Sequence, residues 1–442
     1  MVTPFGLLPL IQEADLDGKV VLVRFDHNVV KDGEIRDPYR IDRSLGTLYN
    51  IVERGGRPIL MTHIGRPRDR KTGAIHCEAD TSADAVAAYL EQKLHSRFFV
   101  PSFTCREGAG IAGIDTSINL AIRELRERRI GGIYLPNIRW FHGEEAGGAE
   151  GAAFARQLAG LADVYINDAF GSWQPHVSTF DVASQLPAFA GYLMQEEIRS
   201  LARVLEPDRP FVAVVAGAKY DTKIGPLHEI FRKADSLILG GVIYNAFLAA
   251  RYGLKIMGVS EEDVAAAGEL VRMNEEEKKI VELPWLVESD LPDRRKVGRF
   301  RRVSLAQLRE KGRAGYLLDI DPRSFGEEEV AAAIGGAKTI FVNAVMGFTP
   351  HFSEGSAALD ETIDRNREAM KLYGGGDTLQ EFKNLCPGLY LSVMDSANYY
   401  FFTGGGTVLT AIEAGSPFGL QPVRALIESG GTGAGSDAGK EG

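Results

Sequence analysis

Two α/β domains, each built on a parallel sheet, are what this sequence predicts, on three observations. The chain has 442 residues, more than one ordinary hydrophobic core accommodates. Short β-rich runs alternate with longer helical patterns, the signature of βαβ units. Several of those runs are apolar throughout rather than alternating, as in strands covered by helices on both faces.

The elements follow in order. In the first half the predicted strands are Val20–Phe25, Pro58–Thr62, Phe98–Val100, Ile133–Leu135 and Val164–Asn167. Helical patterns at Ala83–Leu94, Ile118–Arg128 and Ala153–Leu161 lie between them. The stretch Leu193–Leu205 has an amphipathic period and runs into Glu206-Pro207-Asp208-Arg209-Pro210, where proline stops a helix. It is the expected connector between domains. Strands follow at Phe211–Ala216, Leu237–Leu239, Ile280–Leu283, Leu317–Ile320 and Ile340–Asn343. From residue 429 onward the chain is rich in Gly, Ala and Ser without apolar period, and disorder is expected.

Composition excludes several classes. A net charge of −10 argues against a nucleic-acid partner. The local basic cluster Arg294, Arg295, Lys296, Arg299, Arg301 and Arg302 reads as a solvated loop or edge hairpin. Cys77, Cys105 and Cys386 are odd in number and far apart, which argues against a disulfide framework and for a reducing, cytoplasmic location. No Cys/His spacing suits zinc, no apolar run reaches membrane-span length, and Met1–Leu10 lacks signal-peptide features. No membrane partner is expected.

In parallel sheets, ligands sit outside the C-terminal ends of strands. Four first-half segments leave predicted strands at or just after that end: Arg24-Phe25-Asp26-His27-Asn28, Asp37-Pro38-Tyr39-Arg40, His63-Ile64-Gly65-Arg66-Pro67 and Asn137-Ile138-Arg139. They direct Arg40, His63, Arg66 and Arg139 towards one crevice, with Asp26 and Asn28 beside them. Any one arginine is more simply a surface ion pair. The set calls for a multiply charged anion, because the guanidinium fork matches phosphate and carboxylate.

The second half carries a different signal. Strand Phe211–Ala216 leads into Gly217-Ala218-Lys219 and then Lys223, two lysines at a strand-to-helix turn. Gly240-Gly241 and Asn343 follow later strands. Two glycine runs, Gly374-Gly375-Gly376-Asp377-Thr378 and Gly404-Gly405-Gly406, each precede a helical pattern. Glycine lets the main chain approach a ligand closely, and a helix start favours an anion. Asp377 is a candidate Mg²⁺ ligand, since Mg²⁺ combines carboxylate with phosphate oxygen. No Walker A motif, no GxGxxG after the first strand and no protein-kinase glycine loop is present.

These residues resemble the phosphoglycerate kinase family, from about Asp15 to Gly415. The carrying motifs are Val21–Val29, His63–Pro67, Val164–Gly171, Gly217-Ala218-Lys219, Gly374–Thr378 and Thr403–Gly406. The resemblance implies two Rossmann-like three-layer domains with parallel sheets joined by an interdomain helix. Residues 1–192 form the acid-substrate domain, 193–210 the connector and 211–406 the nucleotide domain. Residues 407–428 return to the first domain, and 429–442 form a tail. It implies that Asp26 and Asn28 hold the glycerate, that His63, Arg66 and Arg139 hold its phosphate, and that Arg40 meets the transferring phosphoryl group. Lys219 would follow that group, and Lys223 with Gly217, Ala218, Gly240, Gly241 and Asn343 would serve the nucleotide. Gly374, Gly375 and Thr378 would hold its phosphates, Gly376 and Gly406 would present amides to the reacting group, and Asp377 would bind Mg²⁺.

The chain departs from the family pattern at several points. Ser172-Trp173-Gln174-Pro175-His176 is one residue shorter than the family segment and lacks its arginine. Val242 replaces a glycine, Pro350 stands where the family has its ribose-binding glutamate, and Phe402 replaces a serine. The expected function is reversible phosphoryl transfer between ATP or ADP and a small phosphorylated carboxylic acid, by default 3-phosphoglycerate, in a monomer. The alternatives are a carboxylate kinase for another acid and a non-catalytic nucleotide-binding protein. Transfer requires closure that unites Arg40 with Lys219.

Overall fold

Strand β1, Val20–Phe25, is buried along its whole length, as its apolar run, broken by Arg24, predicts. In the computed structural model, which describes residues 6–217 and 224–430, β1 lies at the centre of a six-stranded parallel sheet. The other strands are β2 (Arg57–Met61), β3 (Phe98–Phe99), β4 (Gly132–Tyr134), β5 (Val164–Asp168) and β6 (Ala188–Ala190). Their order is β6-β5-β1-β2-β4-β3, with Val23 opposite Leu60 on one side and Ile166 on the other. Helix α1 (Tyr39–Glu53) buries Ile41, Leu45, Leu48 and Ile51, the stripe a 3.6-residue period puts on one face. Together with Val86 and Leu90 of α2 (Asp84–Leu94), that stripe packs on Val21, Val23 and Phe25. Val20, Leu22 and Arg24, on the opposite face of the strand, are equally buried. A strand covered on both faces is the middle of a three-layer unit.

The second unit repeats the plan. Helix α3 (Tyr192–Leu205) covers the predicted connector. Beyond it, β7 (Phe211–Gly217), β8 (Ser236–Gly240), β9 (Thr339–Asn343), β10 (Met370–Tyr373) and β11 (Tyr399–Phe401) form a parallel sheet of order β8-β7-β9-β10-β11. Helices α4 (Ile224–Lys233) and α5 (Gly241–Tyr252) follow β7 and β8. Helices α6 (Gly376–Leu385) and α7 (Gly405–Glu413) follow β10 and β11. The compact units are Met1–Arg199 with Pro417 onward, and Ser200–Ser416. The switch back therefore comes at Pro417, because α7 packs on α4 within the second unit. Helix α8 (Gln421–Ser429) packs in the first unit against β6 and Asp181–Ser184. The predicted tail from 431 lies outside the described residues.

Three expectations need correction. Leu317–Ile320 belongs to Tyr316–Ile320, which pairs antiparallel with Trp285–Ser289, itself paired with Phe300–Ser304. It lies outside the parallel series. Ile280 makes a single parallel bridge to Leu237 instead of a strand. Cys77 and Cys105 are joined in a disulfide with Cα atoms 6.6 Å apart, against the expectation of no disulfide framework, the ground on which the expectation of a reducing location rests. The bridge Ile75↔Ala109 brings the two segments together, and sequence spacing carries no trace of it. The basic cluster does sit on an edge hairpin. There Arg301 is opposite Glu288 and pairs with it at 2.7 Å, and Arg302 pairs with Asp321 at 2.8 Å.

Candidate functional site

Because every strand of the first sheet is parallel, the segments that follow β1, β2 and β4 emerge at one edge. Asp26, the first residue after β1, is buried and accepts from Arg40 Nη1 at 3.3 Å through both oxygens. Burial pushes its carboxyl up, but the attraction of Arg40, with His63 and Arg24, outweighs that and brings its pKa down to about 2. Asn28 Oδ1 accepts from Gly65 N at 2.9 Å, tying the β1 loop to the His63–Pro67 loop. Gly65 takes φ +60°, a conformation that favours glycine. Asn137 is fully buried and welds the third segment on. Its Nδ2 donates to Ile64 O (2.7 Å) and Thr81 O (2.9 Å), and its Oδ1 accepts from Ile64 N and Arg139 N. Arg139 then donates to Gly65 O at 2.9 Å and pairs with Glu145 at 3.3 Å. Arg66, on the same loop, is exposed. Asp26, Asn28, Arg40, His63, Arg66 and Arg139 thus come from segments at one sheet edge.

Sequence reasoning missed the layer beneath. Arg24 lies inside β1 and is 1 % exposed. Its Nε donates to Ser178 Oγ at 2.9 Å, Nη1 donates to Phe25 O, and Nη2 lies 3.2 Å from His63 Nδ1. An arginine can only donate, so Nδ1 accepts and the His63 proton sits on Nε2. Burial holds the His63 pKa well below its usual value, against the pull of Asp26. Ser178 Oγ–H donates to Glu144 Oε1 at 2.6 Å. Burial pushes that carboxyl up to about 7, opposed by Arg24 and the bonds from Ser178. His27 is a second buried hub, with Nδ1 2.8 Å from Tyr134 Oη and Nε2 2.8 Å from Ser44 Oγ. The available signal was a charged residue inside an apolar strand, which needs partners when buried. Gln174, in the segment that lacks the family arginine, is exposed, and its Oε1 lies 3.2 Å from His176 Nε2.

In the second unit the glycines line the C-terminal edge of the sheet. Gly217 ends β7 and Gly240 ends β8; a Cβ on Gly241 would lie 2.8 Å from Gly217 O. At Gly240 a Cβ would meet Met346 Sδ at 2.6 Å. Asn343 ends β9 and its Nδ2 donates to Gly374 O at 2.6 Å. The two glycine runs touch each other: a Cβ on Gly405 would fall 2.3 Å from Gly375 Cα. Gly375 itself has φ +119°, with Asn343 Nδ2 and Thr378 Oγ1 each 3.0 Å from where its Cβ would be. Helices α6 and α7 therefore begin side by side, and their unpaired N–H groups form one electropositive surface. Asp377 is exposed in the first turn of α6, and Thr378 is buried beside it. Phe402, before the second run, is buried edge-on to Tyr400. Ala218, Lys219 and Lys223 lie outside the described residues. Among the described residues no three His, Cys, Asp or Glu side chains cluster as a metal site.

The family model described as phosphoglycerate kinase matches residues 11–415. A phosphoglycerate kinase of Dictyoglomus turgidum is 32% identical over 411 residues, covering 91% of this chain and 95% of that protein. One of Rubrobacter xylanophilus is 35% identical over 411 residues with the same coverage. Among solved structures, phosphoglycerate kinase from Coxiella burnetii superposes with a TM-score of 0.74 at 26% identity, over 96% of this chain and all of that one.

Proposed function

The chain belongs to the phosphoglycerate kinase family, and we propose that it transfers a phosphoryl group reversibly between ATP and the carboxylate of 3-phosphoglycerate. The observation that carries this beyond membership is chemical. One sheet edge gathers Arg40, His63, Arg66 and Arg139 around Asp26 and Asn28, a set that suits a small polyanion. The other gathers two helix starts and the glycines at the strand ends, a set that suits nucleotide phosphates.

In this reading residues 1–192 serve the acid and 211–406 the nucleotide. The carboxylate oxygen of the acid attacks the γ-phosphorus. The bond from that phosphorus to the β–γ bridging oxygen breaks, and ADP leaves with the electron pair. The product is an acyl phosphate; the reverse direction makes ATP. Such transfer needs orientation and neutralised charge more than covalent help. Asp26 and Asn28 orient the glycerate. His63 donates through Nε2–H to its phosphate, alongside Arg66 and Arg139. Arg40, held by Asp26, counters charge on the group in transfer.

Gly374, Gly375, Gly376 and Gly406 supply main-chain donors to phosphate oxygens, Thr378 adds its hydroxyl, and Gly217, Ala218, Gly240, Gly241 and Asn343 border the nucleotide. Lys219 accompanies the phosphoryl group and Lys223 contacts the nucleotide phosphates. Asp377, exposed at the cradle's lip, fits a cation that fills its remaining positions with water and phosphate. Mg²⁺, when bound there, would supply charge neutralisation on the nucleotide phosphates. The enzyme is read as a cytoplasmic monomer of glycolysis, without nucleic-acid or membrane partners. Among the described residues no helix is long and apolar enough to cross a membrane.

The deciding experiment is ATP–ADP turnover with 3-phosphoglycerate, native enzyme against Lys219→Ala. Native activity that collapses in the variant is the expected result; equal rates sink the role of Lys219. Activity only on other acids in a carboxylate panel would overturn the substrate.

A further inference from the structure

The disulfide lies in a revealing place. The loop from Gly65 to Cys77 carries Arg66 and Arg68 and folds back on itself, with His76 N donating to Pro67 O and Asp69 N to Ala74 O. Its tip, Asp69 to Gly73, is exposed. It meets the hairpin Cys105-Arg106/Gly110-Ile111 through Ile75 N to Gly108 O at 3.0 Å and through buried Ile75. That hairpin abuts the Arg139 segment: a Cβ on Gly110 would strike Trp140 O at 2.4 Å, and His142 N donates to Ile111 O. Glu145 joins the two sides, 3.1 Å from Arg68 Nε and 3.3 Å from Arg139 Nε. So one small hairpin braces both cationic segments, and the Cys77–Cys105 bond ties the arginine loop to it. A surface loop held only by Pro67, Ile75, the Arg68–Glu145 pair and a few main-chain bonds, with an exposed tip, has low local stability, so a covalent tether there governs its order.

We propose that Cys77–Cys105 is a site of reversible thiol–disulfide modification that sets the affinity for the acid substrate; this rests on the acid-binding reading above. Cys105 is exposed and Cys77 half-buried, so a thiolate can reach the bond, and exposed disulfides are the labile ones. The co-reactant is a dithiol. Its thiolate attacks one sulfur, forming a mixed disulfide and releasing the other cysteine as a thiolate that takes a proton. The second thiol of the dithiol then displaces the remaining cysteine. Two electrons pass from the dithiol, which ends as a disulfide, and two cysteine thiols result. The reduced loop loses its tether, Arg66 and Arg68 lose their fixed placement, and the acid binds more weakly. The nucleotide cradle, in the other unit, is unaffected.

The test compares full-length enzyme after mild oxidation and after dithiothreitol. Reduction is expected to raise KM for 3-phosphoglycerate on the order of tenfold, the worth of one lost charged contact, and to leave KM for Mg-ATP unchanged. Trypsin should cut faster after Arg68, Arg70 and Lys71. A Cys77→Ser/Cys105→Ser variant should behave as reduced enzyme under both conditions. Equal acid KM in the two states overturns the proposal, as does a difference that persists in the double variant. If no form turns over 3-phosphoglycerate, the functional reading falls and cleavage decides. Faster cutting on reduction then supports the clasp, and unchanged cutting overturns it.

Discussion

The contact between the two glycine runs makes Gly405→Ala the most informative single substitution. The new methyl carbon would fall 2.3 Å from Gly375 Cα and 2.8 Å from Gly375 N, both well inside the 3.4 Å where ordinary contact begins. Both neighbours are backbone, so no side chain can swing away. Relief requires α6 and α7 to move apart, and the starts of both helices form the proposed phosphate cradle. Overpacking of this kind costs about 1–3 kcal/mol. For a unit of this size each kcal/mol lowers Tm by roughly 2–4 °C. Thermal unfolding, read with KM for Mg-ATP, should show both a lower Tm and a raised nucleotide KM, while KM for 3-phosphoglycerate holds. Gly376→Ala is the internal control, because nothing lies within 4 Å of its added carbon. It should melt with the native enzyme. A Gly405→Ala enzyme with native Tm and native nucleotide KM would refute the reasoning.

Other consequences are as direct. Burial lowers the pKa of His27 from 6.5 to about 3, so between those values the unfolded chain binds a proton that the folded one refuses. Its contribution is complete above pH 6.5 and falls as pH drops, by at most about 1.4 kcal/mol per pH unit. His27→Gln, which keeps a donor and an acceptor for Ser44 and Tyr134, should flatten the urea-midpoint difference between pH 7 and pH 5; an unchanged slope would contradict it. Arg139→Met should raise KM for the acid by about tenfold or more and spare KM for Mg-ATP; equal shifts in both would break the assignment. The disulfide closes a loop with a sequence separation of 28, so reduction should remove roughly 3–4 kcal/mol of unfolding free energy in the loop-closure picture. Coincident denaturation curves for oxidised and reduced enzyme would count against that.

What the sequence displayed was whatever local chemistry dictates. Val20–Phe25 and Phe211–Gly217 announce themselves because strands buried on both faces are apolar at nearly every position. Asp26, Arg40, His63 and Arg139 could be grouped because parallel strands end on the same side. What stayed hidden depends on the third dimension. Phe300–Ser304 carries two exposed arginines and no apolar period, and it is a strand because Arg301 meets Glu288 across the ladder. Arg24 reads as one more strand residue until Ser178 and His63 are seen around it. Cys77 and Cys105 meet through a bridge between segments that share no sequence pattern. The mutual contact of Gly375 and Gly405 is likewise a fact of sheet order, since β10 and β11 are neighbours.

The path of the chain through the two units has a bearing on synthesis. The first unit is interrupted: it opens at the start of the chain, stops at Arg199 and resumes only at Pro417. On the ribosome the second unit, Ser200–Ser416, is therefore the only one whose residues emerge in one continuous stretch. The first, begun earlier, is finished later, when α8 arrives with Pro422, Val423, Ala425 and Leu426 to cover the side of β6. Until then that side is apolar surface left open to solvent, the kind of nascent intermediate that chaperones attend. A stop codon placed just before Gln421 would leave both glycine runs in the chain, and its damage would fall on the half of the protein that was translated first.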